Sequence, residues 1–521
     1  MQRSAVRDAG TLRTFARPSP HPRRARSATP YLIAVILAAF LPAASAQLAE
    51  APALFEPPTT GFMEAAIAPL DSSALRIRSL VVNTQLFTTL PPGQTRRVRL
   101  PLFADRDYTA VVTEQEGAGT PFFGWRGRLE GYVNGHFSAV LHDGALVMQI
   151  TDGRGGEFQI RPVPGGGHQV AEPWPGVQGV CGSVGTPAPA LAVAKDAGKH
   201  PPANLSPSWV NTHADVLILY TPNARNAAGG HAGIQAKARQ FVADSNWRFG
   251  RSGTHTYLRL VGVEEIAYDD SAQDLSLHLT RLRTGNDGFM DDAFARRDAV
   301  GADLVCLLPN GRANSGSTLG IAQVGGWAGV VEWSLDTAVF THEIGHNFGC
   351  EHEDGQTSYN RGYSHTESWN VGLGTVLEQR VTVMFSGFNA GTRTDYFSNP
   401  GINFTFTGND CGGFCANVDR PLGVANVADN ARWLNENRAT TATNRQAIFY
   451  GNSAGGAGEA TASDPANNLP FIYNAWFLAT EVNPAQSATI RLAAGNYPSG
   501  ARLDKKSRLE NWGGGNARIT Q

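Results

Sequence analysis

Hydrophobic and polar positions change rhythm twice along this chain. From residue 47 to about 180 they alternate. "TRRVRLPLF", "DYTAVVTE" and "GEFQIRPV" place apolar residues at every second position, with Gly and Asp turns between the runs. Period two belongs to strands with one face covered, so this stretch reads as a β-rich unit. Residues 184–209, "VGTPAPALAVAKDAGKHPPANLSPSW", lose the rhythm and are rich in Pro and Ala, which predicts an exposed linker.

Beyond 210 strands and helices take turns. "ADVLILYT" (214–221), "TYLRLVGVEEIAY" (256–268) and "ADLVCLLP" (302–309) read as strands, and "GIAQVGG" (320–326) and "GVVEW" (329–333) as shorter ones. Helical spacing runs through "GIQAKARQFVADSNWRFGRSG" (233–253), across 274–297, through "SLDTAVFTHEIGHNFGC" (334–350) and again in 426–445. This order predicts an α/β (α+β) domain with a mixed, largely parallel twisted sheet and helices packed on it. A Gly/Ala/Ser linker follows. The tail, including "IRLAAGNYPSGARLDKKSRLENWGGGNARI" (490–519), resembles the opening rungs of a parallel β-helix and has too little apolar surface to make a domain by itself.

Composition narrows the partners. A chain of 521 residues accommodates two to four domains, and a formal charge of −2 gives nucleic acid or a membrane surface nothing to hold. The N-terminus has the three parts of an export leader in order: a basic stretch, the apolar run "YLIAVILAAFL" (31–41) and "PAASAQ". Cleavage is expected after Ala46, giving a secreted protein, extracellular or periplasmic. The run is too short to serve as a membrane anchor. Export implies an oxidising compartment. Of the five cysteines, Cys306, Cys350, Cys411 and Cys415 are expected to form bridges of unassigned pairing, and Cys181 stands alone upstream.

The densest chemistry lies in "FTHEIGHNFGCEHED" (340–354). Taken as a helix capped by Ser334 or Asp336, it carries Phe340, Ile344 and Phe348 at every fourth position, an apolar stripe expected to pack on the sheet. His342 and His346, also four apart, share a different face and can reach one zinc ion. Glu343 sits beside them as a general base. Gly349 can take the left-handed conformation that ends the helix and returns His352 to the same metal. Three imidazoles leave a fourth position for water, as catalytic zinc sites do. By chance the full pattern HExxHxxGxxH arises on the order of once in ten thousand such chains. A helix with solvated, metal-free histidines would leave both the spacing and Gly349 unexplained.

"HEIGHNFGCEH" resembles the zinc signature of the metzincin metallopeptidases. That family carries a methionine on a tight turn beneath the metal, and the resemblance assigns this part to Met384 in "VTVMFSG". "TDYFSNPGI" (394–402) and "VADNARWLN" (427–435) resemble segments of the reprolysin-like branch, of the secreted bacterial type. The resemblance implies that "GIAQVGG" is the edge strand to which a substrate adds, and that "FSNP" lines the primed side. Two positions depart from it. Glu353 stands where reprolysins have Asp, and Ser386 stands where an astacin would have Tyr. His365 is expected at the surface. "VCGSV" resembles the reprolysin cysteine switch, in which a propeptide thiolate takes the water's place on zinc, so Cys181 is a possible zymogen switch. A buried free cysteine is the other reading.

The expected organisation is therefore a leader (1–46), a β-rich propeptide with its linker (47–205), a zinc metallopeptidase catalytic domain (206–447) and a linker with a truncated β-helix-like tail (448–521). The expected function is that of a secreted zinc metalloendopeptidase made as a latent zymogen, acting on polypeptide as a monomer, with no nucleic-acid partner. One catalytic Zn2+ is expected, and a Ca2+ has no support in the sequence. The alternative is an exported binding or adhesion protein with an inactive protease-like scaffold, against which the intact Glu343 argues.

Overall fold

Alternating residues between 51 and 173 close into one antiparallel sheet. In this computed structural model its strands are β1 (Phe55–Glu56), β2 (Ala74–Val82), β3 (Arg96–Phe103), β4 (Arg106–Glu116), β5 (Phe122–Leu129), β6 (His136–His142), β7 (Ala145–Thr151), β8 (Glu157–Pro162) and β9 (His168–Pro173). They lie in the order β1-β2-β9-β8-β7-β6-β5-β4-β3. One face buries Val98, Leu100, Trp125, Phe137, Met148, Ile150 and Phe158 in a core of its own. The structure describes residues 50–57, 74–117, 122–173, 180–184, 212–312, 318–355, 358–370, 374–387, 392–407, 415–442, 444–454, 460–462, 465–467, 488–498 and 507–520. The expected leader, nearly all of the expected Pro/Ala linker and Cys411 lie outside these residues.

The second sheet mixes directions. It comprises β10 (Val180–Val184), β11 (Thr212–Tyr220), β12 (Thr256–Glu265), β13 (Leu304–Leu308), β14 (Thr318–Gln323) and β15 (Ala328–Val331), in the order β10-β14-β15-β13-β11-β12. β12, β11, β13 and β15 run parallel, β14 runs antiparallel to β15, and β10 lies parallel to β14. The central strands read as unbroken apolar runs because both faces are covered. On one face pack α2 (His231–Arg251, after the short α1, Pro222–Ala227) and α5 (Thr337–Asn347), and the opposite face meets α3 (Leu275–Arg283) and α4 (Asp292–Val300).

One expectation needs correction here, and one is extended. The helix expected across 274–297 is two helices. Gly285, Asn286, Gly288 and Met290 interrupt it, and the last three have positive φ, which a helix cannot continue through. The stripe Phe340, Ile344, Phe348 finds ring partners on α2 as well as the sheet. Phe340 stacks on Phe241 with centroids 4.9 Å apart, and Phe348 meets Phe249 edge-on at 6.0 Å. Each such ring contributes about 1.5–3 kcal/mol of burial, so the stripe clamps the site helix to its neighbour as firmly as to the sheet.

The chain continues through small sheets: β16 (Ser364–Asn370), β17 (Thr375–Val381) and β18 (Thr392–Arg393), then β19 (Asn399–Phe406) and β20 (Val418–Leu422), before α6 (Asn430–Thr441). The tail forms parallel pairs: β22 (Ala488–Leu492) lies between β21 (Ile448–Gly451) and β24 (Ser507–Asn511), and β23 (Gly495–Pro498) pairs with β25 (Ala517–Thr520). It leans on the preceding domain. Buried Arg259 holds Asp215 at 2.5 and 2.7 Å and donates to the carbonyls of Ala460 and Ile448. Among the described residues no helix is long and apolar enough to cross a membrane.

Candidate functional site

α5 begins where Asp336 turns its carboxylate onto the Ala338 amide at 2.6 Å, the cap that the sequence offered alongside Ser334. The whole helix is buried, so its polar face must be satisfied from within. His342 Nδ1 lies 2.6 Å from the Val383 carbonyl and His346 Nδ1 lies 2.8 Å from the Cys350 carbonyl. A carbonyl can only accept, so both Nδ1 atoms carry hydrogen and both Nε2 lone pairs face the same space. Gly349, at φ +86°, reverses the chain as expected and brings His352 back. Its Nε2 lies 3.2 Å from that of His342 and 3.1 Å from that of His346.

Cys181 completes the cluster. Its Sγ lies 3.4 Å from His346 Nε2, and the four donor atoms lie within 4.8 Å of one another. The donor set fits zinc. With Zn–N near 2.0–2.1 Å and Zn–S near 2.3 Å, tetrahedral donors sit about 3.3–3.6 Å apart, close to the observed spacings. Burial lowers the pKa of all three imidazoles, His346 to about 3, and keeps them neutral as ligands must be. Burial and the nearby Glu343 charge push the Cys181 thiol well up, so without a metal it donates its proton to Glu343 Oε1 at 3.1 Å.

Glu343 itself is 1% exposed, and burial raises its carboxyl well above the usual range. Its other oxygen, Oε2, is buried without a hydrogen-bond partner among the described residues. A lone buried carboxylate oxygen beside a metal cradle is placed to receive a proton from a small polar molecule. Two glycines make room for this arrangement. A Cβ on Gly320 of β14 would meet Glu343 Oε1 at 2.6 Å, and one on Gly345 would meet Met384 Sδ at 2.4 Å. Met384 is fully buried against the helix at Gly345.

The two unusual positions account for each other. Glu353 Oε2 accepts from the Ser386 amide at 2.8 Å, and Oε1 from its hydroxyl at 2.6 Å. The residue after the third histidine therefore ties down the turn after Met384. His365 stands apart from the cluster, half-buried, 3.2 Å from Glu367. The expectation of bridges through Cys306 and Cys350 is overturned, because both are free and buried. Cys306 faces the core from β13, with its neighbour's carbonyl 3.8 Å away, while Cys350 sits beside Asn430. Cys415 is disulfide-bonded.

Sequence reasoning missed the covering of this site by the β-rich unit. Gln149 of β7 bonds the capping carboxylate of Asp336, and β6 supplies His136, 3.1 Å from Asp395. Arg393 also escaped notice. It donates to the carbonyls of Thr382, Val383 and Phe385 around Met384. Only Gly320 left a trace, since a glycine inside a strand pattern marks a close approach.

Residues 210–398 match the family described as Reprolysin_5, metallo-peptidase family M12. Two relatives from Stenotrophomonas maltophilia, strains K279a and R551-3, are both named peptidyl-Asp metalloendopeptidase. They are 31% and 30% identical over 239 and 234 residues, which is 44% of this chain and 52% of each relative. A protein of the same name from Xanthomonas campestris pv. campestris is 28% identical over 239 residues, 44% of this chain and 51% of its own length. The chain spans about half the length of the curated relatives it matches. A solved chain titled "Structure of a chaperone-substrate complex" overlaps at 20% identity and a TM-score of 0.34, covering 45% of this chain and 36% of that one. The stretch that holds His342, Glu343, His346, His352 and Met384 lies within this match and is similar to the M12 metallopeptidases, with a metzincin-like zinc signature.

Proposed function

We propose that this protein is a secreted zinc metalloendopeptidase, made as a latent zymogen, that cleaves polypeptides next to aspartate. The observation that carries the reading is one cluster: three neutral imidazoles converging on a point, with a buried carboxylate oxygen beside them that has no partner. The aspartate preference is that of the relatives, which are peptidyl-Asp metalloendopeptidases by name. The match of residues 210–398 to the M12 metallopeptidase family supports the reaction class.

His342, His346 and His352 would hold the zinc through Nε2. When bound, zinc supplies Lewis-acid polarisation of the scissile carbonyl and makes a water acidic enough to attack near neutral pH. Glu343 takes that water's proton on Oε2 and returns it to the leaving nitrogen as the C–N bond breaks. The water's oxygen ends on the new carboxyl group and its two protons are shared between the products. Burial raises the affinity of Glu343 for a proton, which suits a group that must accept one and then give it up. The carbonyls of Val383 and Cys350 hold the imidazoles in one tautomer throughout.

Latency rests on two blocks. Cys181 occupies the fourth donor position of the cradle. Its strand β10 also pairs with β14, from Val180↔Thr318 to Val184↔Gln323, and so fills the edge to which an extended substrate would add. Residues 47–205 would act as the propeptide, released by a cut in the linker that contains Lys195 and Lys199.

The test compares wild type with Glu343→Gln for zinc content and casein hydrolysis. Equal zinc with activity lost in the variant is expected, and absence of zinc from both would overturn the reading. Cys181→Ser should shorten the time to self-processing at least tenfold. Unchanged latency would remove the switch while leaving the peptidase reading intact.

A further inference from the structure

Beside the metal cradle lies a cavity of about 1000 Å³, mouth included. Leu319 of β14 and Ala338 and Val339 of α5 give it an apolar wall, and Arg393 lines it close to the metal ligands. Ala338 and Val339 sit one helical turn before His342. Arg393 Nη1 lies 2.5 Å from the Val383 carbonyl, which is the oxygen that also fixes His342 Nδ1. One carbonyl therefore joins the guanidinium to a metal ligand. Any peptide laid along β14 with its scissile bond at the cradle would present a neighbouring side chain to this space.

The charges of the cavity are unequal. Outside the β-rich unit its lining carries Arg248, Arg312 and Arg393 against Asp336 and Asp395, an excess of one positive charge. Arg248 is engaged with Asp395 at 3.0 Å, and Asp336 is the cap of α5. Arg393 is held by three main-chain carbonyls at 2.5, 2.9 and 3.0 Å, which fix its position. From the β-rich unit, Glu157 and Arg161 of β8 and His136 of β6 line the same space. Burial pushes the Arg393 pKa down to about 10, and the two groups that most oppose this are Asp336 and Glu157. Arg393 is thus a part-buried, rigidly mounted cation in a space that Glu157 of the covering unit also lines, and a fixed guanidinium is a strong partner for an incoming carboxylate.

We propose that Arg393 is the specificity-determining residue of a pocket next to the scissile bond that takes an acidic side chain, and that Glu157 stands over this pocket in the latent chain. The inference rests on the peptidase reading above and assigns to one residue the preference for which the relatives are named. A carboxylate entering the cavity gains the guanidinium at close range. Its amide isostere, of the same size, leaves that charge unmet. The discrimination is therefore one of charge.

The test uses the full chain activated by limited trypsin treatment and two peptides that differ only in Asp or Asn at the preferred position. Wild type is expected to favour the Asp peptide in kcat/KM by at least tenfold. In Arg393→Gln the ratio should fall to within about threefold of one, whatever the absolute rate, and Arg393→Lys, which keeps the charge, should retain a preference. If Arg393 only braces the turn around Met384, both peptides will lose rate by the same factor and the wild-type ratio will persist, which overturns the proposal. Should Arg393→Gln fail to fold, equal hydrolysis of both peptides by Arg393→Lys would overturn it. Wild type that cleaves both peptides equally refutes the pocket and leaves the peptidase reading standing. Wild type that cleaves neither refutes both.

Discussion

Gly320→Ala tests how the general base is aimed. The glycine sits in β14 opposite Val331, and its missing side chain is the space that Glu343 fills. An ideal methyl there would lie 2.6 Å from Oε1, 2.8 Å from Cγ and 2.9 Å from Cδ. Carbon approaches such atoms comfortably only beyond about 3.5 Å, so the carboxylate must move by roughly 0.6–0.9 Å. At 1% exposure it has little room to turn aside. Misplacement of a reacting group by about 1 Å costs on the order of 100-fold, and loss of a general base costs about 10²–10⁴-fold. Gly320→Ala should therefore lower kcat about 100-fold, falling short of Glu343→Gln. Zinc should stay at wild-type content, since the imidazoles are held by carbonyls on other elements. The assay follows hydrolysis of a quenched fluorescent peptide by the activated chain, with zinc measured by mass spectrometry and folding by thermal melts. Activity within threefold of wild type at equal zinc would refute the claim that this glycine positions the base.

Gly345→Ala strikes the other side of the helix. Its methyl would lie 2.4 Å from Met384 Sδ and 3.1 Å from a Phe397 ring carbon, so overpacking should cost about 1–3 kcal/mol, read from urea midpoints. Adding Met384→Ala should recover part of that loss; strict additivity of the two changes would show that they do not meet. The β-rich unit should also weaken in acid. His168 Nε2 accepts from the Leu146 amide at 2.8 Å, and burial lowers its pKa from 6.5 to about 4. The unfolded chain then binds a proton between pH 6.5 and 4 that the folded unit does not. Stability is therefore complete above about pH 6.5 and falls by up to about 3 kcal/mol as pH drops to 4. His168→Gln keeps the acceptor and should remove this part of the slope, measured as urea midpoints by Trp125 fluorescence; identical slopes in the two proteins would refute the assignment.

The metal cluster was legible because its information is local. Helical spacing fixes His342 and His346, and one left-handed glycine fixes the return of His352, so a short stretch of sequence carries the geometry. Period-two alternation carried the β-rich sheet in the same way, and the apolar runs carried the parallel core. What the sequence hid depends on contacts between distant segments. Arg393 is an arginine in an ordinary "GTRTDY" until Thr382, Val383 and Phe385 turn their carbonyls to it. Glu157 and Gln149 alternate like any strand residues, and only packing of the sheet against α2 and α5 places them over the cavity. The pairing of Glu353 with Ser386 is the instructive case. Each residue alone breaks a known pattern, and together they form one contact between a ligand loop and the turn beneath the metal. Cys181 illustrates the same limit from the other side. Its sequence context left a switch and an inert buried thiol equally open, because its neighbour at 3.4 Å is His346, 165 residues further on.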